Sequence, residues 1–129
     1  MVGIVVVSHS AKAAEGIVEM AAQMSREGQK ILAAGGANGA IGTDATLIAA
    51  AIEAADTGEG VMVAVDLGSA VLSAETALEL LPEALQVRVR IADAPVLEGT
   101  VSAAVQASLG STLTEVLAAA EGARELRKK

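Results

Sequence analysis

The chain has 129 residues, a formal net charge of −7, a single histidine and no cysteine. Nine Lys and Arg against sixteen Asp and Glu leave no basic face for a nucleic-acid backbone. The lack of cysteine removes disulfides, thiol catalysis and zinc–thiolate centres, and one histidine without cysteine speaks against a transition-metal site. The length suits one domain over 1–129. With 53% hydrophobic residues but no Phe, Tyr or Trp, the core must be built from Ala, Val, Leu, Ile and Met.

Val2–Val7 is a continuous Val- and Ile-rich run, the pattern of a strand buried on both faces in a parallel sheet. It stops at Ser8-His9-Ser10. Helical spacing then begins at Ala11, through Ala14, Ile17, Val18, Ala21 and Met24, until Gly28 ends it. Lys30–Ala34 reads as a short second strand. The Gly35–Asp44 segment has four glycines in eight residues, a permissive loop that can bring backbone N–H groups close to a ligand. No Lys follows the glycines, and the dinucleotide spacing is missing.

Thr43 or Asp44 is placed to cap the next helix, which carries Leu47, Ile48, Ala51, Ile52 and Ala55 and ends near Thr57-Gly58. Val61–Val65 is a third apolar strand, ending in Asp66-Leu67-Gly68-Ser69. The following helix carries Leu72, Ala77, Leu78 and Leu81, with Pro82 near its end. Gln86–Ile91 alternates, with Val87, Val89 and Ile91 against Arg88 and Arg90, which predicts a strand near a sheet edge. Ala94-Pro95 opens a helix running through Val96, Leu97, Val101, Ala104, Val105 and Leu109 to Gly110. Thr112 and Glu115 have capping-box spacing. The last helix uses Leu113, Val116, Leu117, Ala120 and Leu126, and Arg124, Arg127, Lys128 and Lys129 answer its dipole.

The order β-α-β-α-β-α-β-α-α predicts an α/β fold with an open, mainly parallel sheet flanked by helices. Ligands of such sheets bind beyond the carboxyl ends of the strands, an edge shared by His9, Gly35–Asp44, Asp66–Ser69 and Ala92–Gly99. A histidine at a strand-to-helix junction meets free helix N–H groups, a good setting for an anion. A neutral imidazole can attack phosphorus and form a phosphoramidate, so His9 is read as a covalent phosphoryl carrier. By residue type alone, His9 as an ordinary loop residue, Asp66 as a turn or cap residue, and Gly35–Asp44 as a plain connector stay open. The N-terminus has no positive leader, and its apolar run is too short for a signal peptide or a membrane span, so a cytoplasmic chain is expected.

Six segments occur in a telling order: Val6-Val7-Ser8-His9-Ser10, Ala14-Glu15-Gly16, Gly35-Gly36, Ile41-Gly42-Thr43-Asp44, Asp66-Leu67-Gly68-Ser69-Ala70 and Ala94-Pro95-Val96-Leu97-Glu98-Gly99. Together they resemble the phosphotransfer subunit family of the PTS-dependent dihydroxyacetone kinase, DhaM, whose IIA-like domain is related to the mannose-type enzyme IIA. The resemblance covers nearly the whole chain. It implies an open parallel sheet flanked by helices, a homodimer, and a phosphotransferase that takes a phosphoryl group from HPr onto His9. The group then passes to ADP held in DhaL, which works with DhaK. The phosphohistidine at His9 is the only intermediate implied, with no other cofactor and no metal.

Some members carry HPr-like and enzyme-I-like domains after this one. A chain ending at Lys129 is expected to draw phosphate from separate proteins. The resemblance also implies that Asp66 accepts a hydrogen bond from the His9 ring, which would leave Nε2 for phosphorus. Ser8, Ser10, Gly42, Thr43 and Ser69 are expected at the phosphate or partner, with the first turn after Ser10 supplying N–H groups. Two alternatives remain: a mannose-type sugar-transport enzyme IIA serving a IIB protein, and a non-catalytic flavodoxin-like binding module.

Overall fold

Four parallel strands in the order β2-β1-β3-β4 form the centre of the molecule. The structure is a computed structural model and describes residues 1–129. In chain order the elements are β1 (Gly3–Ser8), α1 (Ala11–Ala22), β2 (Ile31–Gly35), α2 (Ala45–Ala55), β3 (Val61–Val65), α3 (Gly68–Glu79), α4 (Glu83–Gln86), β4 (Val89–Ile91), α5 (Val96–Ser108) and α6 (Leu113–Gly122). A 3₁₀ turn over Ala123–Glu125 follows. This is the open parallel sheet flanked by helices that the sequence pattern predicts.

The two inner strands, β1 and β3, are buried at every position, which is why their sequences show no polar alternation. Successive side chains point to opposite faces of a strand, so each strand feeds two cores. Val5, Val7, Val61, Val63 and Val65 pack with Ile48 and Ile52 of α2 and Ala70, Ala74 and Ala77 of α3. Ile4, Val6, Met62 and Ala64 pack on the other face with α1, α5 and α6, through Ala14, Ala21, Ala103, Ala107, Val116 and Ala120. Alanine faces replace aromatic filling by letting the helices lie close to the sheet. Gly3 shows how close: a Cβ built there would stand 2.2 Å from the Ala55 carbonyl oxygen at the end of α2.

Several local expectations are corrected. Helix α1 ends at Ala22, short of Gly28, because Met24 and Ser25 donate to Ala21 and Ala22 in tight turns; Met24 lies outside the helix and is exposed. Leu47 and Leu72 face solvent, while Ala49, Ala70 and Ala74 fill the core. Leu126 follows the 3₁₀ turn and is also exposed. The expected strand over Gln86–Ile91 shrinks to Val89–Ile91, because Pro82 starts the one-turn helix α4 and Val87 caps its end. Arg88 closes this corner: it donates to the Ala84 carbonyl and pairs with Asp56 through Nε at 3.2 Å and Nη2 at 2.6 Å.

Candidate active site

From β1 the chain moves outward to β2 and then crosses back to β3 on the other side. The reversal falls between the carboxyl ends of β1 and β3, the place where such sheets hold ligands. Parallel register pairs Val7 with Val65, and the Asp66 N–H donates to the Val7 carbonyl at 3.2 Å. Two residues 57 apart in sequence, His9 and Asp66, are thereby set side by side.

The imidazole is held from both ends. His9 Nδ1 lies 3.0 Å from Asp66 Oδ1, and Nε2 lies 2.7 Å from Ser69 Oγ. Each oxygen of Asp66 takes two hydrogen bonds. Oδ1 accepts from the ring and from the Leu67 N–H at 2.7 Å; Oδ2 accepts from the Ser8 hydroxyl at 2.9 Å and the His9 N–H at 3.0 Å. Burial pushes the Asp66 carboxyl up, but the bonds from His9, Ser8 and Leu67 outweigh it and hold the group below its ordinary value. An ionised carboxylate only accepts, so Nδ1 carries a proton; in the neutral ring Nε2 then keeps its lone pair, to which Ser69 donates. The side chain of His9 remains 23% exposed, so a second molecule can reach it.

Ser69 stands in the first turn of α3, whose N-cap, Leu67, offers no side-chain acceptor. The Ala70 N–H turns back to the Leu67 carbonyl at 3.0 Å, which leaves the Gly68 and Ser69 N–H groups for an anion. The start of α1 differs, because the Ser10 hydroxyl caps it by accepting from the Ala13 N–H at 3.2 Å. Ser69, in the first turn of α3, is the side chain that reaches Nε2.

The remaining expected residues surround the histidine without touching Nε2. Ser8 is 2% exposed and lies behind the ring on Asp66. Gly42, at φ +144, donates its N–H to the His9 carbonyl at 2.9 Å. A side chain would strain that backbone. Thr43 Oγ1 lies 2.5 Å from Ser73 Oγ, which ties the glycine loop to α3, and Asp44 rather than Thr43 caps α2. Ser73 went unnoticed in the sequence, although it sits one helical turn beyond Ser69. Ala92–Gly99 reaches the same edge across a cleft of ≈ 460 Å³, walled by Leu67, Val71 and Ile91 and rimmed by Glu75 and Asp93. Ile41, Leu67 and Leu72 are exposed, an apolar margin next to Gly42, Asp66 and Ser69.

Two partly buried carboxylates couple this architecture to pH. Hydrogen bonds from Arg88 hold the Asp56 carboxyl below its ordinary value, against the opposing effect of burial, and Asp66 is also lowered. A folded-state value below the unfolded one gives stability that is present above the unfolded value and lost as pH falls through the folded one. Thermal melts should show the transition temperature falling steeply below about pH 4. Asp56→Asn should flatten that fall; an unchanged acid slope would remove Asp56 from the account.

The fold and site define a class. Residues 3–117 match the EIIA-man family, described as PTS system fructose IIA component, and the chain belongs to that family. Within it the similarity is to DhaM subunits. The chain is 42% identical over 133 residues to the PEP-dependent dihydroxyacetone kinase, phosphoryl donor subunit DhaM, of Escherichia coli (strain K12), covering 100% of this chain and 28% of that protein. It is also 42% identical over 118 residues to the PEP-dependent dihydroxyacetone kinase 2, phosphoryl donor subunit DhaM, of Listeria innocua, covering 91% of this chain and 94% of the relative. The chain thus spans little over a quarter of the first relative and nearly all of the second. A crystal structure of a protein of unknown function, EF1359, superimposes with a TM-score of 0.84 at 38% identity over 95% of each chain. No helix is long and apolar enough to cross a membrane.

Proposed function

We propose that the chain is a cytoplasmic phosphoryl carrier that receives a phosphoryl group from HPr on His9 and delivers it to ADP held in DhaL, working with DhaK. The observation that carries this reading is the His9 imidazole, with Nδ1 on an ionised Asp66 and the Nε2 lone pair at an open sheet edge. The similarity to phosphoryl donor subunits supports it.

In the forward step the Nε2 lone pair attacks phosphorus in line. The bond from phosphorus to the donor imidazole breaks, and its electron pair returns to that ring. Asp66 steadies the positive charge that grows on the His9 ring, as a buried Asp does for histidine in hydrolase triads. It lies behind the ring, so its charge does not oppose the phosphoryl group. The Ser69 hydroxyl turns from Nε2 to a phosphoryl oxygen, and the free N–H groups of α3 offset the charge there. Ser8, Ser10, Gly42 and Thr43 support the ring and its backbone. The phosphoramidate is a reactive donor, and attack by an ADP oxygen on phosphorus returns the electron pair to Nε2.

The description of the family as a fructose IIA component favours a second reading, transfer to a sugar-transport IIB protein. Labelled phosphoprotein, prepared with phosphoenolpyruvate, enzyme I and HPr, separates the two. Label appearing in ATP with DhaL–ADP supports the kinase reading; label passing only to a IIB protein overturns it. A homodimer belongs to the same proposal, and a monomeric mass by light scattering would remove it.

A further inference from the structure

We propose that Ser8 is a positioning residue that sets the tautomer of His9 through Asp66. This rests on the phosphoryl-carrier reading, and it gives Ser8 a place other than the phosphate. With 2% exposure, Ser8 is shut off from solvent and from any docked protein. A hydroxyl has one proton and two lone pairs. The Ser10 N–H fills a lone pair at 3.1 Å, and the proton goes to Asp66 Oδ2 at 2.9 Å. The hydroxyl is thus oriented by the chain on one side and orients the carboxylate on the other.

The other end of the ring cannot choose the tautomer. Ser69 Oγ, 2.7 Å from Nε2, donates when Nε2 has a lone pair and accepts equally well when Nε2 carries the proton. Discrimination therefore falls entirely on Asp66, and it requires Oδ1 to face Nδ1 squarely. Oδ2 is held by Ser8 and the His9 N–H, and Oδ1 by the Leu67 N–H. Without the Ser8 hydroxyl, Oδ2 keeps one donor, the carboxylate gains freedom to turn, and the Ser10 N–H loses its acceptor. The ring can then carry its proton on Nε2, the form with no nucleophile toward phosphorus.

His9 is the sole histidine, so ¹⁵N NMR of histidine-labelled protein reports on it alone and needs no partner. The wild type should show the Nδ1–H form. Ser8→Ala should show a clear population of the Nε2–H form, and Ser8→Cys, with a weaker donor, an intermediate one. Transfer from HPr should slow about tenfold or more in Ser8→Ala, the lower end for one charge-assisted hydrogen bond, with KM for HPr unchanged. In an Asp66→Ala background the same change should add nothing. An unaltered tautomer, a raised KM alone, or equal losses in both backgrounds would each overturn the role. A chain that takes up no phosphoryl group refutes the carrier reading, and the tautomer measurement still decides on Ser8.

Discussion

His9→Ala should abolish phosphoryl uptake while leaving the fold and thermal transition close to wild type. The side chain lies just beyond the end of β1, belongs to neither core cluster, and is partly exposed. Truncating such a residue removes two hydrogen bonds but opens no cavity, and changes of this kind usually cost little stability. The chemistry has no substitute. The chain contains no second imidazole, and neither Thr43 nor Glu98 can form a phosphoramidate. Intact-protein mass spectrometry after incubation with phosphoenolpyruvate, enzyme I and HPr checks the result. An acid-labile phosphoryl group still present on the variant would mean that another residue is the nucleophile.

Asp66→Asn should keep the fold and slow transfer on the order of a hundredfold or more, by the precedent of triad aspartates, where the amide selects the wrong tautomer. The geometry gives a local reason. Both oxygens of Asp66 accept hydrogen bonds, from the His9 ring and the Leu67 N–H on one and from Ser8 and the His9 N–H on the other. An asparagine has only one oxygen, so its amide nitrogen must face a set of donors. Turned toward the ring, it makes Nδ1 an acceptor and moves the proton to Nε2. Turned the other way, it sets N–H against the His9 N–H and rotates the side chain off its seat. Quench-flow measurement of transfer from HPr checks this. If Asp66 were a turn residue only, Asn would serve nearly as well, and wild-type rates in Asp66→Asn would establish that.

The inner strands were legible because burial on both faces leaves an unbroken Val and Ile run. With β1 and β3 recognised as parallel, both chemical residues fall at one edge. What the sequence did not disclose was orientation within that edge. Ser8, Ser10 and Ser69 are the same residue type near the same histidine, yet one orients a carboxylate, one caps α1 and one meets Nε2. The Ser8 and Ser69 contacts depend on how β3 and α3 are seated against β1, which sequence spacing does not encode. The outward placement of Leu47 and Leu72 has a related cause. In alanine-rich helices nearly every face is apolar, so periodicity does not say which one meets the sheet. Helix α4 leaves no periodic mark in the sequence, because four residues are too few to show a helical period.

The central claim is that His9 Nε2 carries the phosphoryl group. The direct measurement is ³¹P and ¹⁵N NMR of histidine-labelled protein after incubation with phosphoenolpyruvate, enzyme I and HPr, kept at alkaline pH to preserve a phosphoramidate. The account predicts a phosphohistidine with phosphorus coupled to Nε2 of His9 and the Nδ1 proton retained toward Asp66. Phosphorus on Nδ1, an acid-stable phosphate ester on a hydroxyl, or no phosphoryl group at all would contradict it.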